Sequence, residues 1–212
     1  MSVEKELKYC FSSAEMALEL YSDPHLKQIA VQSWSRETLK TAYYDTEDRL
    51  LQRAGVALRV RSGPEAVVLC CKYQREDSNE PRLGEAPLAL RQRQEDEIPL
   101  ASLPASPGEV PWRLLPCSFM LERVLAGGEL KSLASTDFQR QSLLLRWGES
   151  EIELALDEGF LSSGSNHQAF LELELELKQG SLKDLCDLGE QLAKRYSLIA
   201  EPRSKLQRAL ES

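Results

Sequence analysis

The strongest constraint on this chain is a two-residue alternation in which the polar positions are charged. From Val3 to Phe11, Glu4, Glu6 and Lys8 alternate with Val3, Leu7 and Tyr9. Arg59 and Arg61 alternate with Leu58 and Val60. Arg91, Arg93, Glu95 and Glu97 share one parity, as do Glu151, Glu153 and Asp157, and as do Glu172, Glu174, Glu176 and Lys178. A period of two belongs to a strand, whose residues two apart point to the same face. Several strands therefore carry a row of charge on one face and an apolar row on the other.

Strands are read at Val3–Phe11, Trp34–Asp45, Ala57–Arg61, Val67–Tyr73, Leu88–Ile98, Phe119–Leu125, Phe138–Trp147, Glu151–Asp157 and Ala169–Lys178. About eight strands at roughly 8–12-residue spacing predict a mainly β, α+β chain built as an antiparallel barrel or sandwich. Gly63-Pro64 and Gly148 suit turns between strands. Ser12-Ser13 offers an N-cap to a helical stretch interrupted near Pro24, and Ser181 caps a last amphipathic helix reaching Tyr196. Residues 74–87 read as a polar loop. The five prolines within 99–116 predict an irregular connection or short helices. His25 and His167 are read as surface-loop residues, Trp34 as packing, and Cys70-Cys71 as a packing pair in a strand. The 212 residues are treated as one domain, 1–212.

Composition removes several functions. Lys and Arg number 26 against 34 Asp and Glu, a formal charge of −8, which opposes a nucleic-acid partner. No apolar run approaches the about 18 residues of a membrane span, so no membrane partner is expected. The charged N-terminus is unlike a secretory signal. Five cysteines without a CxxC pair predict reduced thiols and a cytoplasmic location. Two histidines make a histidine-rich zinc site a poor fit, and no phosphate-binding glycine loop is present.

A charged strand face is ordinarily the wet side of a half-buried sheet. Here the rows segregate: acidic toward the two chain ends, basic in the middle strands. Three Glu in succession repel one another unless cations sit among them. If the strands close with these faces inward, the lumen holds a carboxylate cluster suited to Mg²⁺ or Mn²⁺ and an Arg/Lys cluster suited to phosphate oxygens. Such a lumen fits a polyphosphate.

The motifs resemble those of the CYTH superfamily, the triphosphate tunnel metalloenzymes, along nearly the whole chain. Glu4-Lys5-Glu6-Leu7-Lys8 resembles the ExExK signature, Tyr43-Tyr44-Asp45-Thr46 the YYDT segment, and Gly55 to Arg61 the GxxLRxR strand. Lys72, Arg93-Gln94-Glu95 and the Glu172–Glu176 ladder stand in the family's order, and Ser204-Lys205 with Arg208 resembles its closing SKxxR. Ser135 to Arg140 and Glu151 to Gly159 are similar to segments of the bacterial inorganic triphosphatases. The CHAD extension of some members is not expected here.

The resemblance implies a closed antiparallel eight-stranded tunnel with flanking helices. It implies Mg²⁺ or Mn²⁺ held by Glu4, Glu6, Glu172 and Glu174 with Glu153 or Asp157 beside them. It places the triphosphate on Lys8, Arg59, Arg61, Lys72, Arg93, Arg140 and Lys205, with Glu95 orienting these cations or water. Glu95, Lys8 and Arg59 form the expected catalytic set. The implied reaction is metal-dependent hydrolysis of inorganic tripolyphosphate to pyrophosphate and phosphate, with a small-molecule triphosphate as partner and no obligate protein partner. Alternatives on the same fold are a nucleoside or thiamine triphosphatase and a class IV-type adenylate cyclase. A non-catalytic polyphosphate-binding module is the alternative of another class.

Overall fold

The computed structural model describes residues 2–74 and 89–211. All but the first residue of the loop expected at 74–87 lies outside the described residues.

The elements in chain order are β1 (Ser2–Cys10), α1 (Ala14–Ser22), α2 (Pro24–Ile29), β2 (Ser35–Asp45), α3 (Leu50–Arg53), β3 (Ala57–Ser62), β4 (Val67–Tyr73) and β5 (Leu90–Leu100). Then follow α4 (Ser118–Leu125), β6 (Lys131–Trp147), β7 (Ser150–Ser163), β8 (Asn166–Gln179), α5 (Leu182–Arg195), β9 (Ile199–Ala200) and α6 (Lys205–Glu211). Eight long strands run in the order β5-β4-β3-β2-β6-β7-β8-β1, and β1 pairs back with β5 to close the barrel. Every pairing is antiparallel, and the two-residue β9 extends the edge of β1.

Closure turns the alternation inside out relative to most soluble barrels. The charged parity faces the lumen, and the apolar parity faces outward under the helices. On one side Leu7, Leu173 and Leu175 pack with Leu185, Leu188 and Leu192 of α5 and Leu20 of α1. On the opposite side Leu58, Val60 and Leu69 pack with Leu51 of α3, Leu121 and Leu125 of α4, and Trp112. The outer helices thus shield the apolar strand faces from water, which leaves the polar parity free to line an enclosed space.

A third cluster lies inside one end of the barrel. There Leu39, Phe138, Leu161 and Phe170 meet Leu206 and Ala209 of α6. This short helix packs against β6, β7 and β8 and fills that end.

Four readings need correction. Phe119–Leu125 is helical, not extended: Leu121 and Leu125, four apart, are buried, while Phe119 is exposed. So short an apolar run fits either period, and packing on the β3–β4 face decides it. The Ser181-capped helix is not the last, because α6 follows it; the cap itself forms, with Ser181 Oγ accepting from the Asp184 N–H at 3.1 Å. His25 and His167 are exposed but lie in α2 and β8 rather than in loops. Cys71 is a packing residue, whereas Cys70 faces the other way, toward Glu95. The proline-rich stretch contains two three-residue 3-10 turns, Pro107–Glu109 and Trp112–Leu114. Trp34 packs outside the barrel on Tyr21, with ring centroids 4.8 Å apart.

Candidate active site

The inward parity creates a cavity of about 370 Å³ within the barrel. Among the described residues, seven of its lining residues are glutamates and eight are lysines or arginines, so the wall is close to self-neutral. Among the described residues, the other lining residues are Tyr43, Ala57, Ser204 and Leu206. Tyr43 is the aromatic side chain on the described wall.

The cations and carboxylates interleave across strands. Lys72 Nζ lies 2.5 Å from Glu4 Oε1 and 3.1 Å from Glu95 Oε1. Arg93 Nη2 is 3.0 Å from Glu6 Oε1 and 3.8 Å from Glu4 Oε2. Arg59 Nη2 is 3.5 Å from Glu95 Oε1. These contacts follow from register: Glu4 lies opposite Arg93, and Lys72 opposite Glu95. Burial opposes the charge on Glu95, yet Lys72 and Arg59 outweigh it and hold the carboxyl at about 2. For Glu6 burial is likewise the largest influence, and Lys8 leads the opposing cations that leave its pKa lowered.

At the α6 end, Arg140 clamps Asp157 with two 2.7 Å hydrogen bonds and donates a third to Glu174 at 2.6 Å. Oxygens of Asp157, Glu172 and Glu174 lie close enough together to hold a metal ion. The cation among them is the Lys205 ammonium, 2.8 Å from Asp157 and 2.9 Å from Glu174 and also paired with Glu172. Lys8 lies 3.2 Å from Glu174, and Arg208 donates to Glu172 at 2.6 Å. Asp157 and Glu172 are fully buried and do not line the cavity.

The structure therefore divides the expected site residues. Glu4, Glu6, Glu153, Glu174 and Glu95 line the cavity, with Lys8, Arg59, Arg61, Lys72, Arg93, Arg140 and Lys205. Asp157 and Glu172 sit behind that wall. Arg61 is the exception among these cations: it has no hydrogen bond or ion pair with any described residue, and the neighbouring Arg59 charge, burial and Arg140 push its pKa down. Glu4 Oε2 is buried and makes no hydrogen bond, with the Arg93 guanidinium facing it at 3.8 Å.

Sequence reasoning omitted seven lining residues from the site: Ala57, Ser204, Leu206 and four with titratable side chains. Glu97, Glu176 and Lys178 continue charged rows it had recognised, and Tyr43 lies opposite Arg59. It also gave Arg208 no role, although the three-residue spacing from Lys205 puts both on one helical face. Asp45, in the YYDT segment, turns out to cap α3, accepting from the N–H groups of Leu51 and Gln52 at 2.8 and 2.9 Å. Among the described residues, no helix is long and apolar enough to cross a membrane.

Comparison with known proteins agrees with the fold. Residues 2–210 match the CYTH domain. An inorganic triphosphatase of Haemophilus influenzae is 29% identical over 98% of the chain; the chain spans 54% of that relative's length. Among solved structures, a Hippeastrum protein with a dominant triphosphatase activity superposes with a TM-score of 0.65 at 20% identity, over 98% of this chain and 95% of that one. A Bacillus halodurans protein gives 0.61 at 18% identity over 98% of each chain, and a Pyrococcus horikoshii protein 0.55 at 17% over 97% and 98%.

Proposed function

The chain belongs to the CYTH family, and from that premise we propose that it hydrolyses inorganic tripolyphosphate to pyrophosphate and phosphate inside the tunnel. The observation that carries this reading is Arg61, a guanidinium of the cavity wall without a carboxylate partner, set beside Arg59 and Arg140. Such a cation cluster calls for an anion with several oxygens, and Arg binds phosphate oxygens bidentately. The Haemophilus relative supports a triphosphate as that anion. The scarcity of uncharged wall favours the inorganic substrate over a nucleotide.

The chain's own groups account for most of the chemistry. Arg59, Arg61, Arg93, Arg140, Lys8, Lys72 and Lys205 offset the charge that repels an incoming water, and they hold the phosphates in line for attack. Incoming phosphate oxygens compete with the wall's own carboxylates for these cations. Glu95, held at about 2, is too weak a base to take a proton near neutral pH, so its role is to aim Lys72 and Arg59.

The convergence of Glu4, Glu6, Glu153, Glu174 and Glu176 on one cavity supports a divalent cation on the acidic side. Glu4, Glu6 and Glu174 would hold Mg²⁺ or Mn²⁺, with Glu153 and Glu176 beside them. Asp157 and Glu172 instead serve to fix Lys205, Arg140 and Arg208. Bound there, the ion would polarise phosphoryl oxygens and supply an activated water. No protein partner is proposed, and the free thiols fit the cytoplasm.

The test is phosphate release from tripolyphosphate, ATP, thiamine triphosphate and pyrophosphate with Mg²⁺, Mn²⁺ or EDTA, alongside a cyclic AMP assay. EDTA-sensitive turnover fastest on tripolyphosphate, lost by 10²-fold or more in Arg61→Ala and Glu4→Gln, supports the reading. Tight binding of tripolyphosphate without turnover under any metal would leave a binding module.

A further inference from the structure

We propose that Glu97 limits the length of polyphosphate the tunnel accepts, as a rim carboxylate that repels the extra phosphates of chains longer than three. The proposal rests on the triphosphatase reading of the same cavity. The two ends of the cavity differ in access. One end is filled by Leu206 and Ala209 of α6 against Phe138, Leu161 and Phe170. Both β5 and β8 pair antiparallel with β1, so they run in the same direction and finish together at the other end, β5 at Leu100 and β8 at Gln179. Glu97 and Lys178 stand near these strand ends, and Glu176 and its cross-strand partner Glu153 lie just inside them. An anion entering at this end passes all four groups.

Charge is layered along that path. Among the described lining residues, three glutamates meet one lysine at the rim, whereas seven lysines or arginines meet four glutamates below it. Exposure follows the same order. The side chains of Glu153, Glu176 and Lys178 are 29–38% exposed, and the paired cations below range from 4% at Lys8 to 17% at Arg93. Within the rim, Glu153 and Glu176 have Lys178 between them. Glu97 is exposed and has no hydrogen bond or ion pair with any described residue. Its cross-strand partner on β4 is Cys70, whose thiol burial pushes up to about 11 and so keeps neutral.

A carboxylate without a counter-cation opposes phosphate, so its place in this wall makes sense for the part of an anion that the cations do not hold. A tripolyphosphate seats its phosphates among the deep cations. A longer chain leaves its additional phosphates at the rim, beside Glu97 and with only the shared Lys178 to offset them. Like charges set against the wrong ligand discriminate as effectively as contacts to the right one. Glu97 is solvated, so the expected discrimination is about three- to tenfold and shrinks with added salt.

The test compares tripolyphosphate with linear tetrapolyphosphate on the whole chain. Affinity for each is measured by calorimetry in EDTA, where no turnover is needed, and kcat/KM for each with Mg²⁺. The native chain should favour tripolyphosphate in both measurements. Glu97→Gln should raise the tetrapolyphosphate-to-tripolyphosphate ratio by about three- to tenfold, and Glu97→Lys should raise it further. Tripolyphosphate turnover in Glu97→Gln should stay within about twofold of native. High salt should narrow the difference between native chain and variant. Glu158→Gln, an exposed change on the opposite parity of β7, should leave the ratio alone. An unchanged ratio in both Glu97 variants, an equal gain on both anions, the same shift in Glu158→Gln, or a native chain that holds both anions equally would each overturn the length limit. Failure to bind either anion would overturn the triphosphatase reading with it, whereas tripolyphosphate bound at an unchanged ratio would overturn the length limit alone.

Discussion

The two ends of the tunnel are made from the same alternating charges but behave oppositely. At the α6 end, Asp157, Glu172 and Glu174 share Lys205, and Arg140, Arg208 and Lys8 add further cations. Burial opposes the charge on Asp157 and Glu174, yet Arg140, Lys205 and Lys8 overcome it and lower both pKa values. At the other end Glu153 and Glu176 share only Lys178, at 3.4 and 2.8 Å, and Glu97 has no partner among the described residues. There burial wins, and the pKa of Glu176 is raised despite Lys178. The ratio of cations to carboxylates, not burial by itself, sets the sign.

This contrast can be broken most directly with a matched pair of substitutions. Arg140→Ala removes the clamp on two buried carboxylates and should cost about 3–5 kcal/mol in urea unfolding. Lys178→Ala, at the more open end, should cost below about 1 kcal/mol. Equal losses would show that the two ends do not differ.

The next largest effect is on pH dependence. Glu95 sits at about 2 against an ordinary 4.5, so folding favours its ionised form. Its contribution is complete above about pH 4.5 and is lost as pH falls toward 2, a span worth roughly 2–3 kcal/mol. Glu95→Gln should flatten that part of the stability-versus-pH curve by this amount, as read from urea midpoints at each pH, whereas Glu176→Gln should not.

Arg208→Met should cost about 2 kcal/mol, less than Arg140→Ala, because Glu172 keeps Lys205 and Lys8. Hydrogen exchange should show the added opening confined to α6. The smallest change is expected for Glu176→Gln. A raised folded pKa means that the ionised carboxylate weakens the fold at neutral pH and recovers that loss as pH falls through it. The variant should be more stable at pH 7 by less than about 1 kcal/mol, a gain that disappears in acid.

Much of the site was legible because strand parity is a local property. Glu4, Glu6 and Lys8 share a face whatever their surroundings, and so do Arg59 and Arg61. Misreadings arose where local pattern was ambiguous or irrelevant. Phe119–Leu125 is too short for its period to be distinctive. Charge and family order likewise did not reveal that a helix from the chain's far end brings Lys205 and Arg208 to Asp157 and Glu172.

The sequence by itself determined which face of each strand is charged, that these faces form a coherent set, and that the opposite faces need an apolar cover. Periodicity and hydrophobic burial suffice for that. Tertiary structure decided which cation meets which carboxylate, which carboxylates reach the cavity, and which groups are left without partners. Those outcomes depend on the register at which β1 closes on β5 and on the seating of α6, contacts spanning most of the chain. Ion pairing is set by distances of a few ångströms across strands, and no local pattern encodes the stagger of a closed barrel.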